Sequence, residues 1–199
     1  MIAVVVDGVM VRSSVARLAA LAAGALLVAC AAISPPPRAP VPFDLIGRVA
    51  VSYDGRSFFS NVRWNHLPAG DEIWLLTPAG QTLARIVSNE DGATLTTADH
   101  HEYSSSDVES LTRQALGWGL PLSHLGWWVQ GEVAPGSAAQ DVHQDARSRV
   151  VEFRQDGWQV NLTWNGGGEG RALPRRVGAA SGTHTIRLVI DRWRTTDGS

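Results

Sequence analysis

Few residues of this chain could do chemistry. The candidates beside the carboxylates are six histidines and one cysteine, Cys30. All 17 basic residues are arginine, and the lack of lysine argues against a phosphate-loop lysine, a lysine Schiff base or a Ser-Lys dyad. The sequence has no Gly-x-Ser-x-Gly elbow, no His-Glu-x-x-His and no cysteine pair, the commonest hydrolase and zinc signatures. We therefore predict no catalytic residue and no enzyme activity.

One short run gathers potential metal ligands, Asp99-His100-His101-Glu102. On a strand, His100 and Glu102 would point to one face and Asp99 and His101 to the other. Because metal ligands must converge, usually from several elements, we favour an exposed turn and expect neither metal nor other cofactor. The other histidines are expected on the surface or in single hydrogen bonds: His66, His124, His143 and His184.

The glycine run at residues 166–168 could be mistaken for a phosphate-binding loop. It lies between two strand-like segments, with no following helix and no lysine, serine or threonine directly behind it. A phosphate cradle needs the amino end of a helix or such side chains. We therefore predict a hairpin loop here.

Cys30 ends an apolar run that begins at Leu18 and follows Arg12 and Arg17. About twelve apolar residues fall short of the roughly twenty that span a bilayer, and match the apolar region of a secretory signal. The last four residues, Leu27-Val28-Ala29-Cys30, resemble the lipobox of bacterial lipoproteins, in which the cysteine is acylated after cleavage. We predict a signal peptide over 1–29, with translation starting at Met10, and Cys30 as the lipid anchor. The alternative is an ordinary signal peptide with a chance cysteine.

Residues 30–42 form a second segment, rich in proline from Pro35 to Pro42. Such a composition favours extended polyproline geometry over helix or sheet. We expect a tether between the anchor and a folded domain at 43–199. Ala31 follows the cysteine. An aspartate at this position would resemble the signal that retains lipoproteins in the inner membrane in enterobacterial-type sorting. Because this chain has alanine there, the outer membrane is the predicted location.

From Phe43 onward the apolar residues alternate with period two, between turns of Gly, Pro, Asn and Asp. This pattern predicts antiparallel strands in a mainly β fold. An open sheet of many strands twists and curls, so we expect a half-open barrel with one concave face. The predicted strands are the segments around Val49–Tyr53, Phe58–Trp64, Ile73–Leu76, Leu83–Val87, Ala93–Thr97, Val150–Arg154, Trp158–Trp164 and Ile186–Ile190.

Two helical segments interrupt the alternation. Ser106-Asp107-Val108-Glu109 has the form of a capping box and precedes apolar residues at helical spacing. A second short helix is predicted over Pro121–Gln130, with Gly131 as its terminator. Both are too short to be stable alone, so they should rest as a lid on the concave face.

Eight tryptophans are an unusual number for 199 residues. Each brings a large apolar surface and a single N–H donor. Any one of them is expected in an ordinary packed core, but as a set they suit an apolar cavity that accepts long, featureless chains.

Several ordered segments together resemble the LolB family of outer-membrane lipoprotein receptors. They cover roughly residues 43–193, behind the lipobox-like motif. The segments are Phe43–Val51, Arg63-Trp64, Leu75–Gln81, Leu116–Leu122, Trp128, Gln155–Trp158, Leu173–Arg175 and Ile186–Ile190.

The resemblance implies a half-open antiparallel barrel with a short helical lid over an apolar cavity. It implies a receptor that takes triacylated lipoproteins from the periplasmic carrier LolA and places them in the inner leaflet of the outer membrane. We assign the acyl-chain cavity to nine residues: Val51, Trp64, Ile73, Leu75, Trp118, Leu125, Trp128, Leu188 and Ile190.

In this family the turn that matches Pro78-Ala79-Gly80 usually carries an exposed leucine, which is implicated in delivery into the membrane. This chain has Ala79 instead, and a methyl group buries less apolar surface than an isobutyl group. We predict a membrane-insertion loop of Leu76, Pro78, Ala79 and Gly80, with Leu76 supplying part of the missing surface. A further departure is the Pro-rich tether, which replaces an amphipathic helix of some members.

Two other classes of function stay open at this stage. A scaffold lipoprotein of the cell envelope needs only an anchor and a rigid sheet, and would have a filled core. A periplasmic hydrolase would need a nucleophile and base that we do not find. The net charge of −2 gives no basic field for nucleic acid, and we expect a monomer.

Overall fold

The computed structural model describes residues 41–165 and 172–195, with the side chains of 194 and 195 excepted. The predicted signal peptide, Cys30 and most of the tether therefore lie outside the described residues. The glycine run at 166–168 does as well, although the strands on either side of it pair as an antiparallel hairpin.

Within these residues, one antiparallel sheet of eleven strands forms the body. Its spatial order is β6-β5-β4-β3-β2-β1-β11-β10-β9-β8-β7, so the first and last strands are neighbours at the centre. The end strands β6 and β7 do not pair with each other, and the sheet stays open, which confirms the predicted fold class. The strands are β1 (Phe43–Tyr53), β2 (Arg56–Leu67), β3 (Gly70–Leu76), β4 (Thr82–Asn89), β5 (Gly92–Thr97), β6 (Glu102–Ser105), β7 (Gln140–Gln144), β8 (Val150–Gln155), β9 (Trp158–Trp164), β10 (Pro174–Ser181) and β11 (His184–Thr195).

Tight turns set the hairpin registers. Asp54 and Gly55 both have positive φ, 46° and 76°, as two-residue hairpin turns of the type favoured by the strand twist require. Asp156 and Gly157 repeat this geometry at the β8–β9 turn, with φ of 48° and 78°. Strands β1 and β8 run in the same direction in the sheet, and one turn follows each of them, so both turns lie at the same end of the sheet.

Two short helices lie between β6 and β7. Helix α1 (Val108–Leu116) begins at Asp107, whose carboxylate accepts a hydrogen bond from the Ser110 amide at 2.7 Å. The cap is therefore Asp107 and not Ser106, whose hydroxyl donates to the Asp107 carboxylate at 2.8 Å. Helix α1 lies against β5 and β6. In the described part of the chain, no helix is long and apolar enough to cross a membrane.

Helix α2 (Leu122–Trp128) continues into a turn that Gly131 closes. Gly131 has a φ of +80°, its amide donates to the Trp128 carbonyl at 3.0 Å, and the next amide donates to the Trp127 carbonyl at 3.1 Å. This is the hydrogen-bond pattern of a glycine C-terminal cap. The predicted helix and its terminator are thus confirmed, with a shorter helix than the predicted span of 121–130.

The interior differs between the two halves of the sheet. On the β8–β10 side, Trp128 of α2 is fully buried and packs edge-on against Phe153 with ring centroids 6.2 Å apart. The buried Gln155 accepts hydrogen bonds from the Trp128 indole at 3.0 Å and the Ala134 amide at 3.1 Å. This half is closely packed and held by these hydrogen bonds, whereas space remains between α1 and the strands on the other side.

Candidate functional site

A cavity of about 540 Å³ lies between the concave face of the sheet and the two helices. Strands β1 to β6 and β11 contribute most of its wall, and α1, α2 and the segment between them cover it. Its volume is in the range of protein pockets that hold small ligands, about 300–1,000 Å³. The 24 lining residues are Val49, Val51, Tyr53, Phe58, Val62, Trp64, Ile73, Leu75, Leu83, Ala84, Ile86, Leu95, Thr97, Tyr103, Thr112, Gln114, Ala115, Leu116, Trp118, Leu120, Leu122, Leu125, Ile186 and Leu188.

The cavity wall is apolar and carries no charged side chain. Thr112 is one of its few polar members, and its hydroxyl is already engaged, donating to the Val108 carbonyl at 2.9 Å and accepting from the Leu120 amide at 2.8 Å. The Trp64 indole donates to the Asp71 carboxylate at 2.6 Å. Such a wall recognises a ligand by shape and apolar burial and would penalise a charged one.

Exposed apolar side chains mark the mouth of the cavity. Phe58, Tyr103 and Leu116 all line it, and yet their exposed fractions are 38%, 41% and 41%. A side chain that lines a cavity and is also exposed to solvent must stand at an opening. The mouth therefore lies between the β1–β2 hairpin, β6 and the carboxyl end of α1.

The structure places seven of the nine predicted cavity residues on this wall. They are Val51, Trp64, Ile73, Leu75, Trp118, Leu125 and Leu188. Trp128 and Ile190 are not on it, and these two assignments need correction. Trp128 points into the filled half, where it contacts Phe153 and donates to Gln155. Ile190 follows Leu188 on the same face of β11 and pairs with Gly47, directly before a β-bulge, and it is 2% exposed within the packed core.

The tryptophan set divides in a way that the sequence does not show. Only Trp64 and Trp118 of the eight line the cavity. Trp74 lies between the guanidinium groups of Arg63 and Arg85, 5.2 and 5.9 Å from the ring centre. The remaining five pack in or against the core: Trp127, Trp128, Trp158, Trp164 and Trp193.

Several wall residues were missed by the sequence analysis. Leu95 and Thr97 alternate along β5, and this period-two pattern could have found them. Ala115 and Leu116 lie at the end of α1 and were not assigned because helical spacing alone does not show what a face rests on. Phe58 was assigned to a strand face, but its place at the mouth depends on where the neighbouring strand ends.

The predicted insertion loop is an exposed turn between β3 and β4. Pro78, Ala79 and Gly80 are all exposed, and Leu76 is half-buried at the end of β3. The Thr77 amide donates to the Gln81 carbonyl at 2.8 Å, and the Gly80 amide donates to the Thr77 carbonyl at 2.9 Å. The turn therefore presents Ala79 to solvent on a hydrogen-bonded backbone.

The predicted polar cluster at residues 99–102 contributes no side chain to the cavity wall. Asp99 and His101 are exposed and hydrogen-bonded to each other at 2.8 Å in the β5–β6 turn. The hydrogen bond from the Thr97 hydroxyl is the largest of several interactions that hold the pKa of the Asp99 carboxyl below its ordinary value. No group of three or more potential metal ligands occurs among residues 41–165 and 172–195.

One of the scattered histidines ties α2 to the sheet. The ring of His124 contacts the Asp156 carboxylate at 2.6 Å in the β8–β9 turn. The Ser137 hydroxyl, and after it His124, hold the pKa of that carboxyl below its ordinary value. The other three differ in their surroundings: His66 contacts Asp71 at 2.8 Å, His184 packs on Trp118 with ring centres 5.0 Å apart, and His143 is exposed.

The sequence of this domain matches a known family over almost its whole length. The model of the family described as outer membrane lipoprotein LolB matches residues 41–193. The chain belongs to the LolB family. This confirms the resemblance to that family, and the matched span contains both helices and every strand that positions the cavity, except the last two residues of β11.

Individual LolB relatives agree with the family match. The outer-membrane lipoprotein LolB of Azoarcus sp. strain BH72 is 38% identical over 186 residues, which cover 88% of this chain and 94% of that protein. The protein of the same name from Thiobacillus denitrificans is 36% identical and covers 90% of this chain and 98% of its own length. A solved LolA superfamily protein from Nitrosomonas europaea is similar with a TM-score of 0.49 and 8% identity, over 81% of this chain and 89% of that one.

Proposed function

We propose that this LolB-family chain is a receptor, anchored in the outer membrane through Cys30 and facing the periplasm, that binds acylated lipoproteins. It accepts triacylated lipoproteins from a periplasmic carrier of the LolA type and inserts them into the inner leaflet of the outer membrane. The observation that carries the proposal is the open, uncharged cavity of about 540 Å³ in a member of this family.

The chemistry of the cargo explains why an apolar cavity serves this role. Each methylene buried from water is worth about 0.8 kcal/mol, so exposing a chain of some fifteen carbons costs on the order of 10 kcal/mol. A wall without charges keeps such a chain dry and needs no covalent chemistry. Transfer then proceeds downhill from carrier to receptor to bilayer, without nucleotide, and no residue of the site acts as a catalyst.

The scaffold alternative is disfavoured by the interior. A scaffold lipoprotein gains nothing from a cavity, because unfilled apolar space costs stability. In this chain a cavity lies beneath α1, while the other half of the interior is closely packed around Trp128 and Phe153. Such an uneven interior supports ligand binding.

Capture from a loaded carrier tests the proposal directly. The unacylated chain beginning at residue 31 is mixed with a LolA-type carrier that holds a radiolabelled triacylated lipoprotein. We expect the label to move to this chain, and a non-acylated form of the same lipoprotein to give no transfer. If the label stays with the carrier although circular dichroism shows that the chain is folded, the scaffold function is favoured instead.

A further inference from the structure

The hairpin of β1 and β2 extends beyond its neighbour on one side. Strand β2 pairs with β1 from His66 back to Arg56, but it pairs with β3 only from Asn61 to Leu67. The Asn61 side-chain amide donates to the Thr77 carbonyl at 3.3 Å, just after the last residue of β3. Residues 56–60 therefore extend about 17 Å beyond the last residue pair of β2 and β3, at about 3.4 Å per residue.

Two adjacent phenylalanines occupy this projecting segment, on opposite faces of the strand. Phe58 lines the cavity at its mouth, whereas Phe59 does not line it. Phe59 is 73% exposed, the highest fraction among the large exposed apolar side chains of the described residues. A ring on the outer face cannot hold cargo inside the cavity, and the core does not cover it, so its surroundings must explain it.

Those surroundings are polar and include an arginine. Phe59 pairs with Ala50 across the hairpin, and Ala50 in turn pairs with Arg187 of β11. Arg187 and Arg56, at the tip, are both exposed. Arg187 lies on the same face of the sheet as Phe59, whereas Arg56 lies on the face of Phe58 and Asp54 is exposed at the tip. An aromatic ring near an exposed arginine is typical of surfaces that lie at the interface of a phospholipid bilayer, where the ring enters the headgroup level and the guanidinium group meets phosphates.

The length of chain before the domain is compatible with such a contact. The described residues begin at Val41, at the start of β1, and the hairpin tip is at the other end of that strand. Strand β1 spans about 37 Å at about 3.4 Å per residue. The twelve residues between Cys30 and Phe43 reach about 40 Å when extended. A domain anchored at Cys30 can thus bring its hairpin tip to the same membrane.

We propose that the tip of the β1–β2 hairpin, residues 54–59, docks into the phospholipid bilayer through Phe59. This inference rests on the proposed function and assigns the bilayer contact to an element other than the β3–β4 turn. With Phe59 in the bilayer and Phe58 at the mouth of the cavity, a single strand carries apolar surface from the cavity to the lipid. It compensates for the small side chain at Ala79.

The test uses the mature, lipid-anchored chain in vesicles of phosphatidylethanolamine and phosphatidylglycerol, supplied with a loaded LolA-type carrier. Two quantities are measured: lipoprotein captured from the carrier, and vesicle-bound lipoprotein that no longer co-purifies with this chain after mild detergent. We expect Phe59→Ser to leave capture unchanged and to lower delivery about tenfold. The matched control is Leu67→Ser, since Leu67 is 46% exposed at the other end of the same strand, and it should change neither quantity.

Each other outcome overturns the inference. Equal delivery by Phe59→Ser and the unaltered chain would remove Phe59 from the bilayer contact. Lost capture with normal delivery of whatever is captured would make the hairpin a docking site for the carrier.

Failure of the proposed function gives a different result, because the unaltered chain would then capture no lipoprotein. In that case a benzophenone side chain at position 59 decides the inference separately. Photo-crosslinking to phospholipid from position 59 and not from position 67 supports it, and equal labelling contradicts it.

Discussion

At the scale of single residues, Gly131 meets two requirements at once. Its φ of +80° closes α2, and a Cβ atom built on it would lie 2.2 Å from the Trp164 ring. A left-handed backbone costs alanine about 1 kcal/mol, and the clash adds the roughly 1–3 kcal/mol typical of overpacking. We predict that Gly131→Ala lowers the free energy of unfolding by about 2–4 kcal/mol, measured by urea denaturation.

Gly117 provides a matched control for this substitution. It ends α1 with a φ of +85°, and a Cβ atom there would meet nothing within 4 Å. Gly117→Ala should therefore show only the backbone cost, about 1 kcal/mol. Equal losses for the two variants would mean that the Trp164 ring moves aside without cost.

The sequence predicted individual residues well where strand alternation applies and less well elsewhere. Seven of the nine cavity assignments lie on the wall, five of them on predicted strands. Trp128 was assigned to the cavity but lies in the filled half, because α2 presents apolar side chains to two different regions. Residue spacing does not show which side chain faces which region. The hydrogen bonds of Gln155 could not be predicted from the sequence, since its partners Trp128 and Ala134 come from distant segments.

At the scale of elements, the β3–β4 turn is the predicted membrane-insertion loop. Ala79 is exposed at the tip of a hydrogen-bonded turn, so a larger apolar side chain can be added there without disturbing the core. We predict that Ala79→Leu raises insertion of lipoprotein into liposomes severalfold, because the added methyl groups bury more surface in the bilayer. Capture from the carrier should not change.

The β2–β3 turn offers the control for that experiment. Ala69 is also an exposed alanine in a hairpin turn, but its turn lies at the opposite end of the sheet. Ala69→Leu should leave insertion unchanged. If both variants raise insertion alike, general surface hydrophobicity and not the β3–β4 turn is responsible; if neither does, the turn has no role in delivery.

Elements were predictable in proportion to their apolar alternation. Eight of the eleven strands and both helices were anticipated, and the tight turns at Asp54-Gly55 and Asp156-Gly157 formed as expected. Three strands were not. In β7 every side chain is exposed, β6 has only four residues, and β10 places two arginines beside its buried positions, so none shows a clear apolar stripe.

At the scale of the whole molecule, the unequal interior is the feature that binding requires. We predict that filling the hollow half blocks capture while the fold persists. Ala84 is half-buried on β4 and lines the cavity, and a tryptophan there would occupy space that cargo needs. Ala84→Trp should lower capture from a loaded carrier at least tenfold.

Ala180→Trp is the control for cavity filling, because Ala180 is exposed on β10 and does not line the cavity. It should capture lipoprotein like the unaltered chain. Circular dichroism of both variants checks that the sheet is intact. Undiminished capture by Ala84→Trp would place the cargo outside this cavity.

The architecture as a whole followed from strand alternation and family resemblance, but the location of the space did not. A curled sheet with a helical cover could have been filled on either side. Which side is hollow depends on Trp128, Phe153 and Gln155 packing together, a contact between segments far apart in the sequence. Pattern within each element carries no information about such a contact.

The two adjacent phenylalanines allow a direct measurement of whether acyl chains lie in this cavity. A benzophenone side chain is placed at position 58 or 59 of the chain beginning at residue 31, loaded with a triacylated lipoprotein in the absence of membrane. Photo-crosslinks to the acyl chains are then identified by mass spectrometry. We expect acyl crosslinks from position 58, which lines the cavity, and few from position 59, which does not. Capture of lipoprotein with no acyl crosslink from position 58, or with equal crosslinking from both, would contradict this expectation.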